Sequence, residues 1–460
     1  MNTDLRPLFF PSSLAVIGAS ADTSKHSYHV IKVLHQLQYR GKIFLVNKNS
    51  QAIAGEKVFQ QVADIPGAID LALIFVPAGV VLQTLRDCAA KGVKAAVVHG
   101  AGFAEIGEEG RVQQETMAEI ARVSGMRIVG PNCMGIACPA SGINMVITQA
   151  PVVDIGGFSF SGQSGWATEY ALIVGQDRGL GFRNVVSCGN QADLTISDYL
   201  DYFAGDPETR VIGAYVEGFK DGPRFLKAAG EAAARKPVII WKSGKTGFGA
   251  RFTQSHTGSL AGEGSLIGPI MNQAGLEEAA DIEDLLDAIV AFSSPVLPQG
   301  HRVGLLVSTG AIGVAACDSL ESLGFEIPSL PDDVHQELIG YLKQYLPPFA
   351  GLSNPIDLIW APMNKRNNIV QYCLEKMAPW VDALLVGVYP GADYEETVKR
   401  LMHVRDRFQK PILTVCPYGH IHQHFMRYCT QKGIPSFGSM ERAVRSLRRL
   451  VHRSEWLRKR

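Results

Sequence analysis

Short apolar runs alternate with amphipathic stretches along this chain. SLAVIGAS, KIFLVN, LALIFVP, AAVVHGAG and MRIVGPN come first. Each is a run of small and β-branched residues that stops at Gly, Asn or Pro. That pattern predicts parallel strands buried on both faces. Between them, HVIKVLHQLQYRG and GVVLQTLRDCAAKG carry helical apolar spacing. Strands alternating with helices predict βαβ units and a doubly wound sheet over residues 1–145. A second set runs over residues 150–295. Its strands are GFSFSGQSG, RNVVSCGN, VIGAYVEG and PVIIWKSG, and its helices include TISDYLDYFAGD and GPRFLKAAGEAAARK. SSPVLPQG reads as a linker. A third set, RVGLLVSTG, FEIPSL, ALLVGVYPG and PILTVCPYG, lies within residues 300–460. The closing ERAVRSLRRLVHRSEWLRK places Val444, Leu447, Val451 and Leu457 at helical spacing, with arginines elsewhere, and reads as a helix with a solvated basic face. The expected class is α/β, with three Rossmann-like or flavodoxin-like domains in a row.

Composition narrows the partners. The 460 residues are 46% apolar and 19% charged, with 44 basic and 44 acidic side chains. A balanced chain gives no general reason to expect nucleic-acid or membrane binding. No run of roughly 18 apolar residues predicts a membrane span, and MNTDLRPLFFPSS lacks a signal-type apolar core. The eight cysteines are scattered without a C-x-x-C pair. That excludes a zinc ribbon and a dense disulfide framework, and fits reduced thiols in a cytoplasmic protein.

Open α/β sheets bind ligands beyond the carboxyl ends of their strands, so the residues just after each apolar run carry the functional reading. The first strand ends in Gly18, Ala19 and Ser20, with Lys25 close behind. A glycine at such a turn lets the backbone approach a phosphate, and a helix start supplies N–H donors; a plain structural turn accounts for Gly18 almost as well. A dinucleotide site would need G-x-G-x-x-G and an acidic residue after the second strand. The chain has Asn47 and Lys48 there, which suits a phosphorylated nucleotide better than a nicotinamide cofactor. Gln163, Ser164 and Gly165 open a helix after the first strand of the second set. They read either as a phosphate cradle or as a simple helix cap at Ser164. Glu217 follows another strand, and His256 lies in the small-residue stretch TQSHTGSLAG. A carboxylate that fixes one imidazole nitrogen leaves the other as a nucleophile, and an anion cradle beside them is equipment for a phosphohistidine. SGKT at 243–246 is not a P-loop, because the required earlier glycine is Ile239. HIHQH at 420–424 reads as surface or helix-start histidines rather than a metal site, and Cys133 as a packing residue.

With AVIGAS and Lys25, LALIFVPA, AGFAE, RIVGPNCMG, GQSG, GNQADL, YVEGFKDGPRFL, KPVIIWKSGKT, SHTGSLAG and SNPIDL in this order, the chain resembles the α subunits of ADP-forming acyl-CoA synthetases, relatives of succinyl-CoA synthetase. The resemblance implies a Rossmann-like coenzyme A-binding domain followed by two flavodoxin-like ligase domains. It matches His256 to a phosphorylated histidine, Glu217 to its orienting carboxylate, and Gln163, Ser164 and Gly165 to a phosphate-binding helix start. Ser308, Thr309 and Gly310 match a second helix start facing the same phosphate. Gly18, Ser20, Lys25, Val76, Pro77 and Asn132 match coenzyme A-binding segments. The implied reaction joins a carboxylic acid to coenzyme A through an acyl phosphate, reversibly, with His256 carrying the phosphoryl group on a loop of small residues.

No ATP-grasp region is legible, so ATP, ADP and Mg2+ are expected at a separate ATP-grasp β subunit, in a hetero-oligomer or a homodimer of the chain. Three departures from the family pattern stand out: Asn47-Lys48 in place of Asn-Pro, Gly162 in place of Ser, and Trp166 in place of a small residue. The competing expectations are a coenzyme A-binding regulatory or assembly protein without turnover, and an oxidoreductase.

Overall fold

The computed structural model describes residues 4–49, 52–53, 55–149, 152–249, 251, 264–348, 350–387, 389, 391, 393–418 and 422–460, without the side chains of 264–267. His256, its loop and His420 lie outside the described residues. The chain divides into two compact units. One holds Met1–Val174 and Gly181–Leu285, the other Gly175–Leu180 and Leu286–Arg460.

The first unit contains two sheets. β1 (Ser13–Ile17), β2 (Lys42–Val46), β3 (Ala52–Ile53), β4 (Glu56–Phe59), β5 (Leu71–Ile74), β6 (Ala95–Val98) and β7 (Arg127–Val129) pair in the order β3-β4-β2-β1-β5-β6-β7. All are parallel neighbours except the short β3–β4 hairpin. β1, β5 and β6 are buried along their whole length. That is why their sequences run apolar without alternation. Helices Ala78–Ala90 and Glu108–Ser124 send Val81, Leu85, Met117 and Ala121 into the same core as Ile17, Ile74 and Val98. Each fully buried Val, Leu, Ile or Met side chain of this kind contributes about 1.5–3 kcal/mol over exposure.

The second sheet is built from β8 (Gly135–Cys138), β9 (Ile143–Asn144), β10 (Ile155–Gly162), β11 (Phe182–Ser187), β12 (Val211–Val216), β13 (Val238–Lys242) and β14 (Glu277–Ala279). Its order is β14-β13-β12-β10-β11-β8-β9. The five strands β10 to β14 run parallel, while β8 and β9 add an antiparallel edge. Residues 135–144 thus belong to the second sheet although they precede residue 145. GIAC is too short and too closely followed by Pro139 to be told from a loop by periodicity.

In the second unit, β15 (Val303–Val307), β16 (Ile356–Asp357), β17 (Ala383–Gly387), β18 (Ile412–Val415) and β19 (Ser436–Phe437) form a parallel sheet in the order β16-β15-β17-β18-β19. This is the flavodoxin-like order, and the parallel strands of the second sheet repeat it. FEIPSL does not form the expected strand. It reaches the sheet only through a single bridge of Glu326 to Arg302; Pro328 and Pro331 remove the amides a ladder needs. The neighbouring strand comes instead from SNPIDL. Residues 175–180 join this unit through Arg178, which meets Asp287 at 2.9 Å, and Asp287 also accepts 2.6 and 2.7 Å bonds from Arg442. Arg442 stands in the closing helix Met440–Lys459, whose Val444, Leu447 and Val451 are buried and whose Leu457 is exposed.

Candidate functional site

Two cavities open at strand ends of the first unit. The larger, about 690 Å³, lies beyond β1, β2, β5 and β6. Gly18, Ser20, Lys25, Asn47, Lys48, Val76 and Pro77 all line it. Gly18 has φ +84°, and an added Cβ would stand 2.9 Å from the Phe75 carbonyl oxygen. Only glycine fits a backbone so placed. The amides of Gly18 and Ala19 donate to the Val46 carbonyl at 3.0 and 3.2 Å. They extend the sheet and are therefore engaged within the fold. Ala19 is buried behind the cavity wall. Asn47 Nδ2 donates to the Ala19 carbonyl at 2.7 Å, and its Oδ1 accepts from Asn49 at 2.8 Å. Asn47 thus pins the loop after β2 to the loop after β1. Lys25 precedes helix His26–Gln36, and both Lys25 and Lys48 are exposed at the cavity. Two cations at the rim and apolar Val46, Val62, Phe75 and Val80 within suit a ligand with phosphates at one end and a long, weakly polar body.

Two histidines in this cavity escaped the sequence reading. His26 and His99 stack at 4.5 Å with an interplanar angle of 10°, and both contact Phe75. His26 Nε2 bonds the Met145 carbonyl at 3.1 Å. Burial, with the adjacent His99 adding repulsion, lowers His26 to about 4, and burial lowers His99. Both rings are therefore neutral near pH 7. His99 directly follows β6, so the strand-end rule contained a signal for it that glycine-rich neighbours concealed.

The smaller cavity, about 280 Å³, lies at the second sheet. Gln163, Ser164, Gly165 and Glu217 line it together with Asn132, Trp166, Asn190 and Lys220. Asn132, expected with the coenzyme A segments, stands here and not among the residues lining the larger cavity. The Ser164 hydroxyl accepts from the Ala167 amide at 3.3 Å, so it caps helix Gly165–Asp177 while facing the cavity. The two sequence readings of Ser164 are thus compatible. The first amides of a helix have no acceptor within it and carry positive potential. Gln163 holds the Glu217 turn: its Oε1 accepts from the Glu217 and Gly218 amides, and its Nε2 donates to the Gly218 carbonyl at 2.8 Å. The turn is fixed from the other side by Lys242, fully buried, which donates to the Glu217 carbonyl at 2.8 Å. Glu217 itself is 9% exposed.

A polar network runs from the smaller cavity to the segment after β6. Asn132 donates to Asn190 at 3.2 Å, and Asn190 donates to Glu105 and to Gln114. Glu105 also accepts from the Gly102 amide at 2.6 Å. Burial works against the ionised Glu105, yet the bonds from Gly102 and Asn190 outweigh it and lower its pKa. The Asn132 amide donates to the Gly100 carbonyl at 2.9 Å, next to His99. The wall of one cavity is therefore one residue from the wall of the other.

In the second unit, Ser308 bonds the Gly387 carbonyl through its amide at 3.1 Å and its hydroxyl at 3.2 Å. Thr309 precedes helix Gly310–Ser322 without capping it, and its Oγ1 is buried with no partner among the described residues. Asp357 lies beside Gly310, and burial raises its pKa. Cys133 is a packing residue in the structure: it is buried, its Sγ meets the Val98 carbonyl at 3.4 Å, and burial pushes the thiol up to about 12. Among the described residues no three metal-ligating side chains cluster, and no helix is long and apolar enough to cross a membrane.

Residues 12–139 match the model of a CoA binding domain, and residues 155–292 that of a succinyl-CoA ligase-like flavodoxin domain. The α subunit of acetate–CoA ligase (ADP-forming) II of Pyrococcus furiosus is 35% identical over 456 residues, 97% of each chain. An ADP-forming acetate–CoA ligase of Methanocaldococcus jannaschii is 38% identical over 77% of this chain, which covers 49% of that protein. Among solved structures, the dinucleotide-forming acetyl-coenzyme A synthetase 1 of Candidatus Korarchaeum cryptofilum, in complex with phosphate and ADP, superposes with a TM-score of 0.87 at 31% identity, covering 100% of this chain and 99% of that one.

Proposed function

The chain belongs to the ADP-forming acyl-CoA ligases as an α chain, and from that premise we propose how its residues make and break a thioester. The reading without turnover is not favoured by relatives that are themselves named as ligases. The reading rests on one observation: Gln163, Ser164, Gly165 and Glu217 line one small cavity, whose Asn132 bonds Gly100, the neighbour of His99 in the wall of the larger one. We assign coenzyme A to the larger cavity, with Lys25 and Lys48 toward its phosphates. Gly18 leaves the wall flat, and Ser20, Asn47, Val76 and Pro77 complete it. We assign the phosphoryl group to the smaller cavity.

From the thioester side, a phosphate oxygen held at the Gly165 helix start attacks the acyl carbon. The C–S bond breaks, and the sulfur leaves with a proton as coenzyme A. A ring nitrogen of His256 then attacks phosphorus, the bond to the acyl oxygen breaks, and the carboxylate departs. Glu217 holds the other ring nitrogen. Fixed donors and a helix start stabilise the charge on phosphorus by position. Residues 1–145, 150–295 and 300–460 serve as the coenzyme A domain, the histidine-loop domain and a second ligase domain, whose Ser308, Thr309 and Gly310 we also assign to phosphate.

ATP or ADP and Mg2+ belong, in this proposal, to a separate ATP-grasp β subunit, and the protein works in the cytoplasm as a hetero-oligomer. The subunit names of the Pyrococcus relatives support a partner. The test is transfer of labelled phosphate from solution to the full chain in the presence of acyl-CoA thioesters. Acid-labile, base-stable label on the wild type and none on His256→Ala is the expected outcome. Equal label on both would sink the assignment of His256, and the thioester that works names the acid.

A further inference from the structure

Lys220 sits three residues beyond Glu217 and lines the smaller cavity with the Gly165 helix start. Its surroundings contrast with those of the other lysine at this turn. Lys242 is fully buried and donates to the carbonyls of Glu217 and Ser243. Lys220 has no hydrogen bond and no ion pair with any described residue. Glu217 lines the same cavity, yet no ion pair joins the two. The residue as a whole is exposed, while its ammonium is desolvated enough that burial, the one cause acting on it, lowers its pKa. An ammonium that lines a cavity and bonds no described carboxylate leaves its donors for an anion there. Around it stand the Ser164 hydroxyl, the amides that open the Gly165 helix and the side chains of Asn132 and Gln191, while Asn190 gives its own N–H groups to Glu105 and Gln114. Such a set fits a dianionic oxygen cluster.

We propose that the Lys220 ammonium contacts the phosphoryl group in this cavity and supplies its fixed positive charge, a role that rests on the functional reading above. In the ground state Lys220 neutralises one phosphate charge. As phosphorus passes from the acyl oxygen to the imidazole nitrogen, the same ammonium stays on the non-bridging oxygens, so it needs no proton transfer. It also orients the acyl phosphate, because the uncharged acyl end gains nothing by facing it.

The test is equilibrium binding of inorganic phosphate to the full chain, followed by the rate of phosphate label appearing with acetyl-CoA and other thioesters. Wild type, Lys220→Gln and Lys220→Arg are compared, with coenzyme A binding as the check that the fold is kept. A charge-assisted bond of this kind predicts a roughly 10- to 100-fold loss of phosphate affinity in Lys220→Gln. The labelling rate should fall at least as far, and Lys220→Arg should keep most of both. In Lys220→Ala, added methylammonium should restore part of the rate, which a merely structural lysine would not allow. Unchanged phosphate binding and labelling in Lys220→Gln would overturn this role while leaving the ligase reading intact. Wild type that neither binds phosphate nor takes label would overturn both together.

Discussion

Single residues set what the first cavity can hold, and Gly18 is the sharpest case. Its φ of +84° disfavours any side chain, and a Cβ would press within 2.9 Å of the Phe75 carbonyl. Gly18→Ala must therefore move β1 away from β5 or twist the turn. Local backbone strain of this sort costs about 1–3 kcal/mol. The expected outcome is a lower melting temperature, read by scanning calorimetry, and at least roughly tenfold weaker coenzyme A binding, read by calorimetric titration, since 1.4 kcal/mol is a factor of ten. Near-wild-type binding would mean the turn does not shape that site. Gly18 was legible in the sequence because it ends an apolar run. His26, His99 and Lys220 were not. Their value lies in what they stack on or fail to pair with, and no spacing rule encodes an absent partner. His256 was singled out by its small neighbours and by the family motif and lies outside the described residues, whereas Glu217, singled out by its strand end, lines the smaller cavity.

At the level of elements, the strands of both flavodoxin-like sheets could be read because parallel strands buried on two faces are continuous apolar runs. The short edge strands could not. β8 and β9 hold too few residues for a period to declare itself, and FEIPSL had the composition of a strand with prolines that forbid one. What ties the first sheet to the second was equally hidden. Glu105, from the segment after β6, and Asn190, from the segment after β11, meet through a hydrogen bond between residues 85 apart in sequence. Arg127 on β7 adds a 2.9 Å pair with Asp193. If this bridge sets the spacing between the cavities, the residues must be coupled. A double-mutant cycle with Glu105→Gln and Asn190→Ala should give an interaction of about 0.5–3 kcal/mol in unfolding free energy. The same variants should slow thioester turnover more than they weaken coenzyme A binding. Additive effects on stability, with no change in turnover, would reduce the bridge to one surface contact among many.

For the whole molecule, the neutral histidine stack makes a prediction about acid. His26 has a folded-state pKa of about 4 against an ordinary 6.5, from burial first and from His99 second. A proton therefore binds the unfolded chain before it binds the folded one. The stability this residue contributes is complete above about pH 6.5 and is lost as pH falls toward 4. His99, also lowered by burial, acts in the same direction. The lowered carboxylates Asp70, Glu105 and Asp206 act elsewhere. Each keeps its contribution until the pH falls into the usual carboxylate range, whereas Asp201 and Asp357, raised by burial, take a proton first in the folded state and act in the opposite direction; between pH 6.5 and about 4.5 a His26 variant therefore isolates the imidazole. The melting temperature of the wild type should fall across that interval. His26→Phe, which keeps a ring against His99 and Phe75 but cannot take a proton, should flatten the slope even if it lowers the melting temperature at pH 7. A slope unchanged by the substitution would show that His26 does not control acid stability. The stack lines the proposed coenzyme A cavity, so the same protonation must also alter that ligand's fit. Bound coenzyme A should change the wild-type slope more than that of His26→Phe, in which His99 alone of the stack still titrates beside the ligand.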